Sequence, residues 1–377
     1  MDVDSNLTLI ETRISELISN QFQSEACENL TASCSEILKT VITQAISSSE
    51  GGKRLRALLL LSAFDAAYNQ HLDDKTDSLI DKNYNNLEFL TKKTAVIDVA
   101  CALEVFQTAA LIHDDIIDES SLRRGKPSAY CALSEVCKNK HIGTGLGLML
   151  GDILATESFD ITREASKKLY NSQDLLSSFA DMQKNVGIGQ VLDLSIELMS
   201  LDDPNQLAES SINVFRWKTA SYTTIAPIEL GLLAAGVDTA AAKKTAKNVG
   251  EPLGIAFQLA DDLLDIVSDT SRTGKPIGGD IREGKRAVLL ADALSLGNQN
   301  EKLLLKKAYE SEYRNNDDVK KIIEIYYSTG AIEKSKHRIY KLWQETLSAI
   351  KDSPLKAEGK NKLISMAEKF IPSDWRI

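Results

Sequence analysis

Apolar residues recur three or four positions apart through almost the whole chain, and that period demands helix. Leu7, Ile10, Ile14 and Ile18 show it near the start; Ile322, Ile325 and Tyr326 show it near the end. Alternating Val/Ile/Thr segments bounded by turn residues, the mark of half-buried strands, are nearly absent. Only seven prolines interrupt 377 residues, so long helices are expected, assembled as an all-α bundle.

The apolar content of 43% and charged content of 26% are those of a globular protein with a large core. The length is compatible with more than one domain. No linker, solenoid repeat or low-complexity tail divides it, so a single domain over residues 1–377 is expected. A net charge of -10 argues against general nucleic-acid affinity, which needs basic surface. It still allows an anionic ligand at a locally basic site. The five cysteines, Cys27, Cys34, Cys101, Cys131 and Cys137, are odd in number and form no CxxC pair. That disfavours a disulfide framework or zinc site and fits a reducing compartment. Met1 to Ile10 carries Asp2 and Asp4 without a basic stretch, unlike a signal peptide. The longest strongly apolar runs fall short of a membrane span. A cytoplasmic protein with no membrane span is expected.

Four segments should break the helical pattern. Ser48 to Gly52 precedes a helix starting near Lys53. Asn69 to Lys93 is polar and rich in Asp and Asn, and reads as an exposed excursion, either loop or disordered. Glu119 to Pro127 and Thr270 to Gly279 each end a helix just beyond an aspartate cluster.

The first cluster is His113-Asp114-Asp115-Ile116-Ile117-Asp118. Asp114 and Asp118 lie four apart and share a helix face. Their like charges repel, and a hard divalent cation offsets the repulsion. The preceding residues, Ala102 to Ile112, are mostly apolar, so the carboxylates stand where a buried helix emerges at a cavity mouth. One such cluster alone reads as well as a solvated acidic helix end. The second, Asp261-Asp262-Leu263-Leu264-Asp265, repeats the arrangement on another apolar helix. Two such helix ends facing each other could hold several magnesium ions. Magnesium takes one or two carboxylates plus phosphate oxygens, so the pair suits a diphosphate.

Basic runs accompany both clusters: Arg123-Arg124-Gly125-Lys126-Pro127 after the first, Gly274-Lys275-Pro276 and Gly278-Gly279-Asp280-Ile281-Arg282-Glu283-Gly284-Lys285 after the second, and Gly51-Gly52-Lys53-Arg54-Leu55-Arg56 near the start. Arginine forks grip phosphate oxygens and lysine adds point charge. Glycines let backbone approach an anion closely. Each run alone reads as solvated surface; the ordering, apolar helix to acidic cluster to basic run, is the specific signal.

Taken in order, GGKRLR, HDDIID, RRGKPS, KTA, FQLADDLLD, GKP and GDIREGK resemble the trans-isoprenyl diphosphate synthase family, from about Gly51 to Leu290. The resemblance implies a single-domain helical bundle of isoprenoid-synthase type around a central cavity, and a homodimer. It implies a magnesium-dependent prenyltransferase that joins isopentenyl diphosphate to an allylic diphosphate. Asp114, Asp118 and Asp261 would bind magnesium, with Asp115, Asp262 and Asp265 in support. Arg123 and Lys218, helped by Lys275, would hold the allylic diphosphate. Lys53, Arg56 and Arg124 would hold isopentenyl diphosphate, and Lys285 belongs to the same substrate-binding set. Gln107 stands where the family often has His and can donate to a phosphate. Thr219 and Gln258 would turn oxygen dipoles toward the developing allylic cation. His113 is read as a helix or supporting residue.

The family also ties product length to bulk on the helix before the first cluster. Ala109 and Ala110 are small and Phe106, two turns before Asp114, is large, which implies a geranylgeranyl-length tail. Ala57 and Ala287 depart from the family, which usually has Pro and Thr there; Pro252 falls within or at the start of the second-cluster helix. The ending Asp374-Trp375-Arg376-Ile377 lacks the basic tail of some members. Alternatives are a farnesyl or longer polyprenyl synthase, a class I terpene cyclase, and a non-catalytic subunit of a heteromeric synthase. Cyclases carry a different second metal motif, and such subunits tend to lose one aspartate cluster; here both clusters are complete.

Overall fold

The computed structural model describes residues 3–21, 30–72, 79–267 and 277–377. They are helical almost throughout, so the fold is all-α; the only strands among the described residues are Leu122–Arg123 and Lys126–Pro127. The chain groups into two compact units, one of Met1–Ala180 with Glu229–Ala242, the other of Asp181–Ile228 with Lys243–Ile377.

The first unit is built from α1 (Val3–Gln21), α2 (Ala32–Ser49), α3 (Leu55–Leu72), α4 (Leu79–Ile117), α5 (Ala129–Cys137) and α6 (Lys140–Ser166). Ile10, Ile14 and Ile18 are all buried, as their spacing requires. Helix α4 is the spine. It packs on α3, α1 and most extensively on α6. Two sequence expectations change here. The stretch from Asn69 to Lys93 is not one excursion: α3 runs on to Leu72 and α4 begins at Leu79, leaving 73–78 outside the described residues. Its polar composition falls on the end of α3 and the start of α4, and on α4 Leu87 and Leu90 are exposed. Second, Leu87–Ile117 is long and apolar enough to cross a membrane, which counting unbroken apolar runs missed. Of its most apolar stretch 72% is buried, the position of a core helix.

Close approach of α6 to its neighbours depends on glycine. A Cβ on Gly143 would meet the Ser134 backbone at 2.3 Å, one on Gly147 the Tyr130 Cβ at 2.8 Å, and one on Gly151 the His113 ring at 2.3 Å. These glycines recur every four residues and so share one face. His113 thereby sits against α6, 3.3 Å from the Leu148 carbonyl oxygen and 3.3 Å from an Asp152 carboxylate oxygen.

The second unit contains α7 (Pro204–Val214), a π-helical stretch (Phe215–Ile225) and the C-terminal part of Thr239–Val267, followed by helices Val288–Leu296, Gln299–Tyr309, Asn316–Ser328, Ala331–Asp352 and Ala357–Ala367. Helix Val288–Leu296 is buried over Val288 to Leu294 and packs on α7 and on Ala331–Asp352. Its one carboxylate, Asp292, is neutralised by Arg338 at 2.8 Å and Lys334 at 2.8 Å. Asn298 with Glu301 and Asn315 with Asp318 form reciprocal caps at two helix starts. Pro252 lies inside Thr239–Val267 and does not begin it. Ile322, Ile325 and Tyr326 are buried.

The glycine face of α6 yields a paired prediction. Gly143→Ala drives a methyl into backbone and should destabilise by about 1–3 kcal/mol. Gly145→Ala, which meets nothing within 4 Å, should stabilise by up to about 1 kcal/mol through helix propensity. Urea unfolding of both variants against the parent chain checks the contrast.

Candidate functional site

In the first unit α4 ends at Ile117, and the chain turns through Asp118 into a hairpin. Arg123 pairs with Lys126 and Leu122 with Pro127 across it. The two linking residues, Arg124 (φ 53) and Gly125 (φ 76), both adopt positive φ, as a tight type I′ connection requires. The hairpin returns Arg123 to the aspartate cluster. Its Nε and Nη2 donate to Asp115 Oδ1 at 2.9 and 2.5 Å, and Nη2 lies 3.8 Å from Asp114 Oδ2. Asp115 is buried, at 2% exposure; Asp114 and Asp118 are half-buried. The three aspartates therefore divide: Asp115 turns inward to arginine, and Asp114 and Asp118 stand at the rim.

Arg124 donates to the Glu50 and Gly51 carbonyl oxygens at 2.7 and 3.0 Å. Its guanidinium lies over Gly52, where a Cβ would be 3.1 Å from Nη2. Gly51 and Gly52 take φ of 74° and 98°, a conformation that favours glycine. Next in sequence, Arg54 is buried and held by Glu11 at 2.8 Å, by Glu104 at 3.3 Å and by the Ser49 carbonyl. Burial works against its charge, but the hydrogen bonds and charges of Glu11 and Glu104 outweigh this and raise its pKa above the ordinary arginine value. The other Glu104 oxygen accepts the Ala57 backbone N–H at 3.1 Å. Glu104, α3, the Gly51–Gly52 loop and the hairpin are thus one connected polar structure. It borders a pocket of about 480 Å³ lined by Ser47, Glu50, Gly51, Gly52, Thr108, Asp115, Arg123, Arg124 and Lys126 among others. The pocket is concave, carries cationic side chains and adjoins an acidic cluster, so it can receive a polyanion.

In the second unit, Lys218 and Thr219 lie in the π-helical stretch, an irregularity often found at functional sites. Lys218 Nζ donates to Asp193 Oδ2 at 2.6 Å. Thr219 Oγ1 donates to Gln258 Oε1 at 2.8 Å, and Gln258 Nε2 donates to Asp262 Oδ1 at 2.8 Å. Asp261 is exposed and Asp262 buried. Burial first, then the charge of Asp280, pushes the Asp262 carboxyl well above the usual carboxylate range. Asp265 accepts the Gly279 and Asp280 backbone N–H groups at 3.1 Å each, so it holds the start of helix Gly279–Glu283. Burial and Asp280 raise its pKa too. Lys285 pairs with Asp280 at 3.3 Å and Glu283 at 3.0 Å.

Lys53 is exposed beside the glycine loop; Arg56 lies half-buried in the first turn of α3. On α4, Gln107 and Ala110 are half-buried, and Phe106 and Ala109 are buried. Lys275 lies outside the described residues. Sequence reading passed over Arg54, Glu104, Asp193 and Asp280. Glu104 did carry a signal: it is an acidic residue inside the apolar stretch of α4, and a charge there must find a buried partner. Among the described residues no three His, Cys, Asp or Glu side chains converge to cage an ion unaided.

Residues 35–326 match the family model described as polyprenyl synthetase. The chain is 30% identical over 271 residues to the octaprenyl diphosphate synthase of Haemophilus influenzae, covering 71% of this chain and 76% of that one. It is 29% identical over 280 residues to the geranylgeranyl diphosphate synthase of Saccharolobus solfataricus, covering 73% and 72%. Among solved structures, the geranylgeranyl pyrophosphate synthase of Corynebacterium glutamicum, complexed with isoprenyl diphosphate and magnesium, superposes with a TM-score of 0.80 at 28% identity, covering 98% of this chain and 99% of that one.

The buried pair at the root of the first site sets a stability prediction. Glu104→Ala leaves Arg54 short of a buried partner and the Ala57 N–H unmet, and should lower unfolding free energy by about 3–5 kcal/mol. Denaturant titration followed by far-ultraviolet circular dichroism measures it.

Proposed function

Because this chain belongs to the polyprenyl synthetase family, we propose that it condenses isopentenyl diphosphate with allylic diphosphates to give a linear all-trans prenyl diphosphate. The observation that carries the reading is the pocket of the first unit, where Arg123, Arg124 and Lys126 border a cavity beside the Asp114–Asp118 cluster. Such a pocket fits a diphosphate: arginine forks match phosphate oxygens.

The donor set fits magnesium. Asp114, Asp118 and Asp261 offer hard carboxylate oxygens that are not sealed in the core, and magnesium needs only one or two carboxylates where phosphate and water complete its shell. When bound, magnesium neutralises negative charge gathering on the departing diphosphate. The chain's own residues do the rest. Arg123 and Lys218 hold the allylic diphosphate, each steadied by its own carboxylate, Asp115 and Asp193. Lys53, Arg56 and Arg124 hold isopentenyl diphosphate, and Gln107 donates to it. Lys275 and Lys285 add positive charge. Thr219 and Gln258 present oxygen dipoles to the allylic cation. Apolar side chains keep water from quenching that cation. The isopentenyl double bond attacks it, and the released diphosphate takes the proton lost afterwards.

Geranylgeranyl diphosphate is the product we assign, with Phe106 as the floor under the growing tail and Ala109 and Ala110 leaving room above it. The octaprenyl relative supports a longer product as the second reading. The proposed setting is a single polyprenyl synthetase domain in the cytoplasm, working as a homodimer. Exposed Ile142 and Met149 on α6 offer apolar surface for a second copy.

Purified protein with magnesium, labelled isopentenyl diphosphate and dimethylallyl, geranyl or farnesyl diphosphate should give linear prenyl alcohols after dephosphorylation. Cyclic hydrocarbons would identify a cyclase, and no turnover with any starter would favour a non-catalytic subunit. Asp114→Asn should lower kcat by about 10²–10³-fold, the range for losing one transition-state charge contact. Phe106→Ala should shift the longest major product upward by at least one isoprene unit; an unchanged product length rejects the floor.

A further inference from the structure

We propose that Asp262, the middle aspartate of the second cluster, is a positioning residue that fixes the amide of Gln258, and is not a magnesium ligand. The proposal rests on the prenyltransferase reading and deepens it. Gln258 and Asp262 are four apart on helix Thr239–Val267 and share a face. Asp262 is 8% exposed, whereas Asp261, about 100° around the helix, is exposed to solvent. One Asp262 oxygen is engaged by Gln258 Nε2 at 2.8 Å; the other, Oδ2, is buried without a hydrogen-bond partner. Oδ2 is thus sealed from the surface, where a hydrated ion would arrive, and Oδ1 is taken by the amide.

The chemistry gives this contact a direction. A glutamine amide has one end that donates and one that accepts. A carboxyl oxygen that bears no proton only accepts, so Asp262 Oδ1 draws Nε2 to itself and turns Oε1 the other way. There Oε1 meets the Thr219 hydroxyl at 2.8 Å. Rotated by half a turn, the same amide would present N–H groups where positive charge is to develop, reversing its dipole. Asp262 therefore sets the sign of the Gln258 dipole. The backbone is arranged to keep the contact short. A Cβ on Gly254 would lie 2.5 Å from the Ala220 Cα, so glycine lets this helix press against the π-helical stretch that carries Thr219.

The experiment compares Asp262→Asn, Asp262→Ala, Gln258→Ala, Asp261→Asn and the double variant Asp262→Ala/Gln258→Ala. It reads kcat, KM for both substrates and the magnesium midpoint. Asparagine keeps an acceptor oxygen at 262, so Asp262→Asn should lose no more than about tenfold in kcat, while Asp262→Ala loses about 10²-fold, as when an oriented dipole at developing charge is removed. The magnesium midpoint should stay near the parent value in both and rise in Asp261→Asn. If Asp262 acts through Gln258, the double variant is no slower than Gln258→Ala alone. A collapse of Asp262→Asn together with a raised magnesium midpoint, or additive losses in the double variant, overturns the proposal. Parent protein that turns over no substrate rejects the prenyltransferase reading itself, and this proposal with it; a parent that turns over leaves the variant ratios to judge Asp262 alone.

Discussion

The first site depends on one buried ion pair. Glu104 sits in the apolar body of α4, and its charge is tolerable there only because Arg54 answers it. That pairing has structural consequences. Arg54 takes φ of 49°, outside the helical region, and its guanidinium also holds the Ser49 carbonyl and Glu11 of α1. The chain between Ser49 and Arg54 is therefore fixed at both ends, and the carbonyls of Glu50 and Gly51 come to face Arg124. Arg124 anchors the hairpin, and the hairpin delivers Arg123 to Asp115. A chain of arginines, each holding carbonyls or carboxylates, runs from the core to the pocket wall. The network is most rigid at its root, because breaking Arg54 from Glu104 strands a desolvated partner.

The two aspartate clusters share a spelling and differ in use. In the first, the middle residue holds an arginine and the last stands at the end of α4. In the second, the middle residue holds a glutamine and the last accepts the first two backbone amides of helix Gly279–Glu283. The difference follows from what comes next in the chain. A tight hairpin after the first cluster returns a side chain to it. After the second, a short helix begins with backbone N–H groups that want an acceptor. The leading residues differ as well: Asp114 is half-buried with Arg123 3.8 Å away, and Asp261 is exposed.

The helical class was legible because it rests on local periodicity, and the cations lining the first pocket because they fall in one run of charge. Ile10, Ile14 and Ile18, and Ile322 with Tyr326, are buried as their spacing demands. The basic run at Arg123 and Arg124 adjoins the first aspartates in space as in sequence. Less legible was the division of labour inside each run. Nothing local distinguishes Arg54 from Lys53 and Arg56, yet Arg54 is buried while Lys53 is exposed, because a glutamate about fifty residues later selects it. Asp193, the partner of Lys218, is likewise fixed by helix approach at Gly189, where a Cβ would lie 2.3 Å from the Lys218 backbone nitrogen. The polar stretch around residue 80 misled for the opposite reason: a polar composition suits the end of a helix and a loop equally well.

Ala57 and Ala287, where the family usually has Pro and Thr, act on the scaffold in opposite ways. A proline at position 57 has no N–H to give, and here that N–H is accepted by Glu104. The alanine and the Glu104 network therefore belong together: the residue that lacks the ring is the one that completes the second oxygen of the buried carboxylate. At 287 the exchange runs the other way. Ala287 is the N-cap of helix Val288–Leu296 and has no side chain to accept a first-turn amide. That helix is held instead by burial of Val288 to Leu294 and by the Asp292 pairs with Lys334 and Arg338. One departure supplies a contact and the other forgoes one. Neither touches a carboxylate or a cation of the two clusters, so each bears on how the scaffold is held and not on the chemistry it supports.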